Sequence, residues 1–302
     1  MKTAIITDTN SGLTVEDGKR IGVYVLPMPV IVDGRGYLEG VDITHSELYE
    51  ALRSDRDVCT SQPSPGDVTE LWESVFREGY DEIVYIPMTS GLSSSCESAA
   101  QYAQDYDSRV YVVDNHRISA TLAESVYNAK TLADGGYSAI KIKEILENSA
   151  LHASIYITVN SLKYLKKSGR ITSSAAAIAN LLNIKPVLTI QGEKLDLFSK
   201  ARGIKQSGKK MIEALKADIM ERFPQIPLNR VQIATAGTLE SVEEEEQWRE
   251  QVQAAFPEQP VRYYPLSCSI ACHLGVGAIG IGFSITEEIV DKLRNSAKQA
   301  EA

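Results

Sequence analysis

The sequence predicts an α/β protein of two units, the first built on a largely parallel sheet with flanking helices and the second on a mixed sheet. Apolar runs of strand length alternate with segments of helical periodicity through the first half, which is the pattern of a parallel sheet covered by helices. Near residue 155 the character changes, and two later strand-like runs flank Gln191-Gly192-Glu193-Lys194 in the manner of an antiparallel hairpin. At 302 residues the chain is long enough for two cores. The expected domains are 1–155 and 156–302, with a ligand between them.

In order along the first unit, apolar runs at 3–7, 25–32, 82–86 and 110–113 predict buried strands, and apolar spacing predicts helices over 44–53, 67–78, 94–106 and 119–133. Ser64 before Pro65 has the chemistry of a helix start, since the hydroxyl accepts a free N–H and proline has none to satisfy. A helix over 140–148 leads to a strand over 154–159. The second unit is expected to carry helices at 162–167, 174–182 and 207–222, the hairpin pair 186–190 and 195–199, and strands at 231–236, 261–265 and 278–284. An acidic run at 243–246 before Trp248 predicts an exposed helix with one buried aromatic, and 295–302 is expected to fray. There is no internal repeat or low-complexity segment.

A net charge of −9 and a pI near 5.1 argue against a nucleic-acid partner, because no long basic stretch offsets the negative balance. Lys163, Lys166, Lys167 and Arg170 form the densest basic patch, either a solvated helix face or an interaction and ligand-gating surface. The first eight residues bear charge too early, and too short an apolar run, for a signal-peptide core, and no stretch approaches the roughly 18 apolar residues of a membrane span. Four cysteines suit a reducing compartment, so the expected location is cytoplasmic. Cys268-x-x-x-Cys272 beside His273 has some metal-ligand character, but no second pair matches it and no metal site is expected.

The chemistry-bearing features are two hydroxyl-rich loops, Thr60-Ser61-Gln62-Pro63-Ser64 and Thr89-Ser90-Gly91-Leu92-Ser93-Ser94-Ser95, with the distant His273-Leu274-Gly275-Val276-Gly277. The second loop lies between a predicted strand and a predicted helix, where backbone N–H groups and the positive end of the helix dipole favour an anion. Both loops fall where the carboxyl ends of sheet strands, the usual ligand edge of such folds, are expected. A carboxylate held by hydroxyls would also keep an adjacent His273 protonated. Asp8 and Asn10 are expected to tie loops together, and His45, His116 and His152 read as surface or loop residues.

Two alternatives stand beside the hydroxyl clamp. Ser93, then Asp196, then His273 copies the order of an α/β-hydrolase triad, and Gly91-Leu92-Ser93-Ser94-Ser95 resembles its nucleophile elbow without the final glycine; a binding module for some other small carboxylate is the third reading. Gly275-x-Gly277-x-x-Gly280 matches the dinucleotide fingerprint letter for letter, yet a strand-like run follows it and too little chain remains for the required βαβ unit.

Thr7-Asp8-Thr9-Asn10-Ser11-Gly12, the two hydroxyl loops, Leu162-Lys163-Tyr164-Leu165-Lys166-Lys167-Ser168-Gly169-Arg170-Ile171 and His273-Leu274-Gly275-Val276-Gly277-Ala278-Ile279-Gly280 occur in the order seen in the DegV family of bacterial fatty-acid-binding proteins. The resemblance spans essentially the whole chain. Two departures are Ser93-Ser94-Ser95 where the family usually reads Ser-Gly-Thr, which bears on headgroup contacts, and Val276 where it usually has Pro, which bears on loop stiffness. The resemblance implies a DegV-like two-domain fold and a long-chain fatty acid such as palmitate or stearate as ligand, with no cofactor and no catalytic machinery. It places Thr60, Ser61 and Ser93 at the carboxylate, His273 and Arg170 in the surrounding polar network, and Arg202 nearer a partner surface, and Ser94 beside Ser93 is counted among the ligand-binding residues. The implied partner is a separate ATP-dependent fatty acid kinase subunit that makes an acyl-phosphate for phospholipid synthesis, and transient membrane contact is compatible with that role. Ala175, Ala176, Ala177, Ile178, Leu181 and Leu182, with the 186–190 strand, are candidates either for the wall of a tail cavity or for closed core.

Overall fold

The computed structural model describes residues 1–177 and 184–301. Among these, in chain order, run strands β1 (Thr3–Asp8), β2 (Tyr24–Leu26), β3 (Pro29–Val32), β4 (Arg35–Leu38), β5 (Val58–Thr60), β6 (Glu82–Ile86), β7 (Val110–Val112), β8 (Ala153–Thr158), β9 (Lys185–Ile190), β10 (Asp196–Ala201), β11 (Val231–Gly237), β12 (Val261–Pro265) and β13 (Ile279–Ile285). The continuous apolar runs of β1 and β6 pair in parallel at the centre of a four-stranded sheet of order β2-β1-β6-β7, every pair parallel. Strands buried on both faces need no polar alternation, which is why these runs read so plainly in the sequence.

A second sheet of order β10-β9-β8-β13-β11-β12 is mixed: β11 and β12 are parallel, the remaining pairs antiparallel, and β9 and β10 form the expected hairpin. Helix Ser119–Asp134 touches β1 and β6 of the first sheet and β8, β11, β12 and β13 of the second. Its buried Leu122, Ala123, Val126, Ala129 and Leu132 belong to one core cluster with residues of both sheets. A helix enclosed on most sides must be apolar or small on most sides, and this one is.

Three expectations are corrected. The 25–32 run is not one strand: Pro27 and Pro29 interrupt the donor ladder, so its first part joins the parallel sheet as β2 and its second becomes β3, the centre of a small antiparallel sheet of order β4-β3-β5. The end of the chain forms helix Glu288–Glu301 rather than a frayed tail from 295, because Val290 is fully buried, Leu293 packs over Gly135, and the Arg294 guanidinium donates to Asn128 Oδ1 at 3.0 Å. The helix expected over 94–106 spans Ser95–Tyr102 and tightens into a 3-10 turn at Ala103–Tyr106. Of the helix expected over 174–182 the structure describes Ser173–Ala176, and 178–182 lies outside the described residues. Trp248 is buried as expected, and its indole N–H donates to Gly280 O at 2.8 Å.

Candidate functional site

The first hydroxyl loop ends the third sheet. Ser64 caps helix Pro65–Arg77 with a reciprocal Asp67 capping box, as its sequence suggests. Thr60, at the end of β5, faces the second chemical group directly: its Oγ1 lies 3.0 Å from His273 Nε2. His273 is carried by helix Cys268–Leu274, whose first turn is fixed by Ser267 accepting from Ile270 N. Ser61 is exposed and donates to its neighbour's carbonyl, Gln62 O, at 3.1 Å.

The second loop follows β6 and is anchored from two directions. Asp8, at the end of β1, accepts from Met88 N at 3.0 Å and from Asn10 N at 2.9 Å, and its burial raises the carboxyl pKa to about 6. Both bonds tie loops together, in keeping with the structural role expected of Asp8. Thr89 Oγ1 donates to Gly192 O at 2.7 Å, in the turn of the β9–β10 hairpin. A Cβ on Gly91 would sit 2.3 Å from that same carbonyl, so only glycine lets the loop and the hairpin turn approach this closely. Ser93 Oγ accepts from Ser95 N at 3.2 Å and so caps the helix from one residue further out. Ser94 has φ −77°, an ordinary conformation that demands no glycine.

Arg170 follows helix Lys163–Ser168, whose end is turned by Gly169 at φ +70°. That turn separates it from its basic neighbours. Lys163 pairs with Asp55, and Lys167 with Asp57 at 2.6 Å, both on the solvent side. The Arg170 guanidinium instead donates to two carbonyls, Ser168 O at 2.6 Å and Leu92 O at 3.3 Å, and forms no ion pair among the described residues. It also acts on the imidazole: burial, and secondarily the Arg170 charge, push the His273 pKa down to about 4. At pH 7 these protein groups alone keep the imidazole neutral, whereas the protonated form expected of His273 requires a carboxylate beside it.

Thr60, Ser61, Ser93, Ser94, Arg170 and His273 all line one cavity of about 240 Å³. Its remaining wall is mostly apolar, with Ile155, Ile157, Ile190, Ala234, Ala236 and Ile281 from the second sheet, and Met28, Met88, Ile118, Leu165, Leu266 and Ile270 around it. Gly280 and Gly282 of β13 contribute to the same wall without side chains of their own. Sequence reasoning missed most of these, because apolar strand residues facing a void carry the same pattern as those facing a core. It also missed Asn10 and Ser269, which line the cavity while bonded to each other, the Ser269 hydroxyl donating to Asn10 Oδ1. Ala175, Ala176 and Ala177 do not line the cavity, and Ala175 is packed core; Ile178, Leu181 and Leu182 lie outside the described residues. Of the β9 strand, Ile190 reaches it. Arg202 is exposed, outside the cavity, with its backbone N–H donating to the Gln206 side chain.

The contacts that a hydrolase triad requires are not those made. Asp196 accepts from Thr172 Oγ1 at 2.5 Å, Ser174 Oγ at 2.7 Å and Leu197 N at 2.8 Å at the surface, while His273 pairs with Thr60 rather than with Ser93. Gly275-x-Gly277-x-x-Gly280 leads directly into β13, not into a helix. Gly277 has φ +81° and leaves no room for a Cβ beside Asn160, so its glycine answers a local packing demand.

The low His273 pKa has a measurable sign. The folded protein resists protonation between the ordinary histidine value near 6.5 and about 4, while the unfolded chain takes the proton, so this group's stabilisation is present above that window and is lost as pH falls through it. His273→Gln should remove that component, and the wild-type minus variant difference in Tm should shrink from pH 7 to pH 4. A difference independent of pH would show an imidazole that titrates normally.

An α/β fold thus encloses a mostly apolar cavity, with hydroxyls, an imidazole and a guanidinium that has no ion-pair partner among the described residues gathered on part of its wall. A family model described as "Uncharacterised protein, DegV family" matches residues 2–286, and the chain belongs to the DegV family. It is 30% identical over 284 residues to a DegV domain-containing protein of Staphylococcus aureus, covering 93% of this chain and 98% of that one. Similar solved structures include a DegV family protein of Thermus thermophilus described for its fatty acid binding, with TM-score 0.84, 28% identity and coverage of 94% of this chain and 100% of that one. Another is Bacillus subtilis DegV, described as a fatty acid binding protein, with TM-score 0.81, 25% identity and coverage of 94% and 99%.

Proposed function

We propose that this protein binds a long-chain fatty acid, such as palmitate or stearate, with the carboxylate among Thr60, Ser61, Ser93, Ser94 and Arg170, and presents it to a separate fatty acid kinase subunit that forms an acyl-phosphate for phospholipid synthesis. The observation that carries this reading is Arg170, a guanidinium without an ion-pair partner among the described residues on the wall of a mostly apolar cavity. A monocarboxylate with a long hydrocarbon body matches both halves of that wall: each buried methylene contributes roughly 0.8 kcal/mol, and the head supplies orientation. His273 completes the polar network through Thr60. The fatty acid binding described for the Thermus thermophilus and Bacillus subtilis relatives supports the ligand class.

In this reading the ligand lies between two domains divided near residue 155, no cofactor takes part, and the protein works in the cytoplasm as a carrier without chemistry of its own. The sequence contains no Gly-x-x-x-x-Gly-Lys-Ser/Thr phosphate loop. No described helix is long and apolar enough to cross a membrane, and ligand exchange at a bilayer would need only transient contact. The exposed Arg202 is assigned to the kinase-facing surface.

That division of labour predicts a clean split. Purified protein given ATP, magnesium and palmitate should form no acyl-phosphate, and adding the kinase subunit should produce it. Arg202→Ala should leave palmitate affinity within twofold or so while lowering the coupled rate, because a rim charge acts on association rather than on a buried ligand. Turnover by the isolated protein would contradict the carrier assignment, and lost palmitate binding in Arg202→Ala would move that arginine to the ligand.

A further inference from the structure

Behind the cavity wall the fold assembles three side chains that no local sequence spacing connects. Glu39 directly follows β4, His45 opens helix His45–Arg53, and Cys268 opens helix Cys268–Leu274; one potential ligand atom from each lies within 4.8 Å of the other two. We propose that Glu39, His45 and Cys268 form a binding site for a borderline-soft divalent metal ion, with Zn²⁺ the natural occupant.

The carboxylate gives the first argument. Glu39 is 5% exposed, and among the described residues no lysine or arginine lies within 4.0 Å of its carboxyl group, while His45 Nε2 is 3.7 Å away. Its oxygens accept from Thr9 Oγ1 at 2.8 Å and from Cys268 N at 2.6 Å, which orients the group without neutralising it. A buried carboxyl group is normally satisfied by hydrogen bonds, an ion pair or a metal ion. Two neutral donors hold the carboxylate where a cation would complete it, in the way that outer-shell bonds aim a metal ligand.

The donor set gives the second argument. Oxygen, imidazole nitrogen and thiol sulfur together suit zinc or cobalt(II), and suit magnesium or calcium poorly, since those prefer all-oxygen shells. The Cys268 thiol, wholly buried beside Glu39, must give up its proton to ligate. Binding exchanges that proton: the S–H bond breaks, the proton leaves to solvent, and the thiolate electron pair forms the bond to the metal. His45 Nε2 now sits 3.0 Å from Leu266 O, so its proton would move to Nδ1 as the ring turns its freed lone pair to the ion. His45 is 37% exposed at its side chain, which leaves a solvent-side path to a fourth coordination position. The original sequence motif pairs Cys268 with Cys272 and His273; the structure gives Cys268 different partners and keeps His273 on Thr60.

The site also touches the cavity. Thr9, bonded to Glu39, accepts at Oγ1 from Met28 N at 3.1 Å, and Met28 lines the cavity. A bound ion would thus fasten the segment holding Glu39 and His45 to the helix that carries His273.

Cobalt(II) titration of the reduced full-length protein, freed of chelators, tests this. One equivalent should bind and give thiolate-to-cobalt charge-transfer absorption in the near ultraviolet. Cys268→Ser should lose that band and Cys272→Ser should keep it, while the half-exposed His45→Gln, which leaves the core intact, should bind on the order of 100-fold or more weakly. Zinc should displace the cobalt and bleach the band. Absence of a sulfur band with cobalt in excess would overturn the proposal, as would a band that survives Cys268→Ser or a His45→Gln titration identical to wild type.

Discussion

Ala234→Phe should reduce palmitate affinity by roughly 100-fold. Ala234 lies on β11, is buried, lines the cavity, and stands in register with Gly282 of β13, so a benzyl group there projects where the sheet otherwise offers little side-chain bulk. Displacing about four methylenes at roughly 0.8 kcal/mol each forfeits about 3 kcal/mol, and each 1.4 kcal/mol is a factor of ten in affinity. The loss should depend on chain length, with octanoate much less affected than palmitate if the blocked segment is tail rather than head. Isothermal titration across a series of acids checks this, and the unliganded variant should lose no more than about 1–3 kcal/mol from overpacking. Equal loss for every chain length would place Ala234 at the head.

Arg170→Gln should weaken binding by about 1.5–3 kcal/mol, the usual range for a hydrogen bond to a charged group, which is roughly 10- to 150-fold. Glutamine retains donors toward Leu92 O and Ser168 O, so the loop should persist. The same substitution removes the charge that helps hold the His273 pKa low, and the imidazole pKa in the unliganded protein should rise above about 4, though burial, the larger cause, remains. Proton NMR of the ring reports that shift independently of any ligand. Arg170→Lys keeps the charge without the planar fork and should fall between the two. Unchanged affinity in Arg170→Gln, together with a raised His273 pKa, would place the carboxylate away from this guanidinium.

The parts of the fold that were legible are those whose local pattern matches their surroundings. β1 and β6 carry uninterrupted apolar runs at 4–6 and 83–86 because both faces are covered, and the β9–β10 hairpin announces itself through Gln191-Gly192-Glu193-Lys194. Where a continuous apolar run serves two sheets, as at β2 and β3, only the prolines between them signal the break. The last helix was obscured by its polar composition beyond Leu293, although Val290 and Leu293 anchor it.

In the cavity, residue type marked the hydroxyl loops, but orientation did not show. Arg170 sits in a basic run with Lys163, Lys166 and Lys167, and only the left-handed turn at Gly169 separates it from lysines that face solvent. His273 is neutral because of burial that no sequence window records. Glu39, His45 and Cys268 come together across a separation that no spacing motif encodes.

Native mass spectrometry of gently purified protein, before and after extraction with organic solvent, tests the central claim most directly. The account predicts one equivalent of added mass matching a long-chain fatty acid, lost on extraction, restored by palmitate, and not retained by Ala234→Phe. Extracted protein that takes up no fatty acid, or takes it up equally well with the cavity blocked, would contradict it.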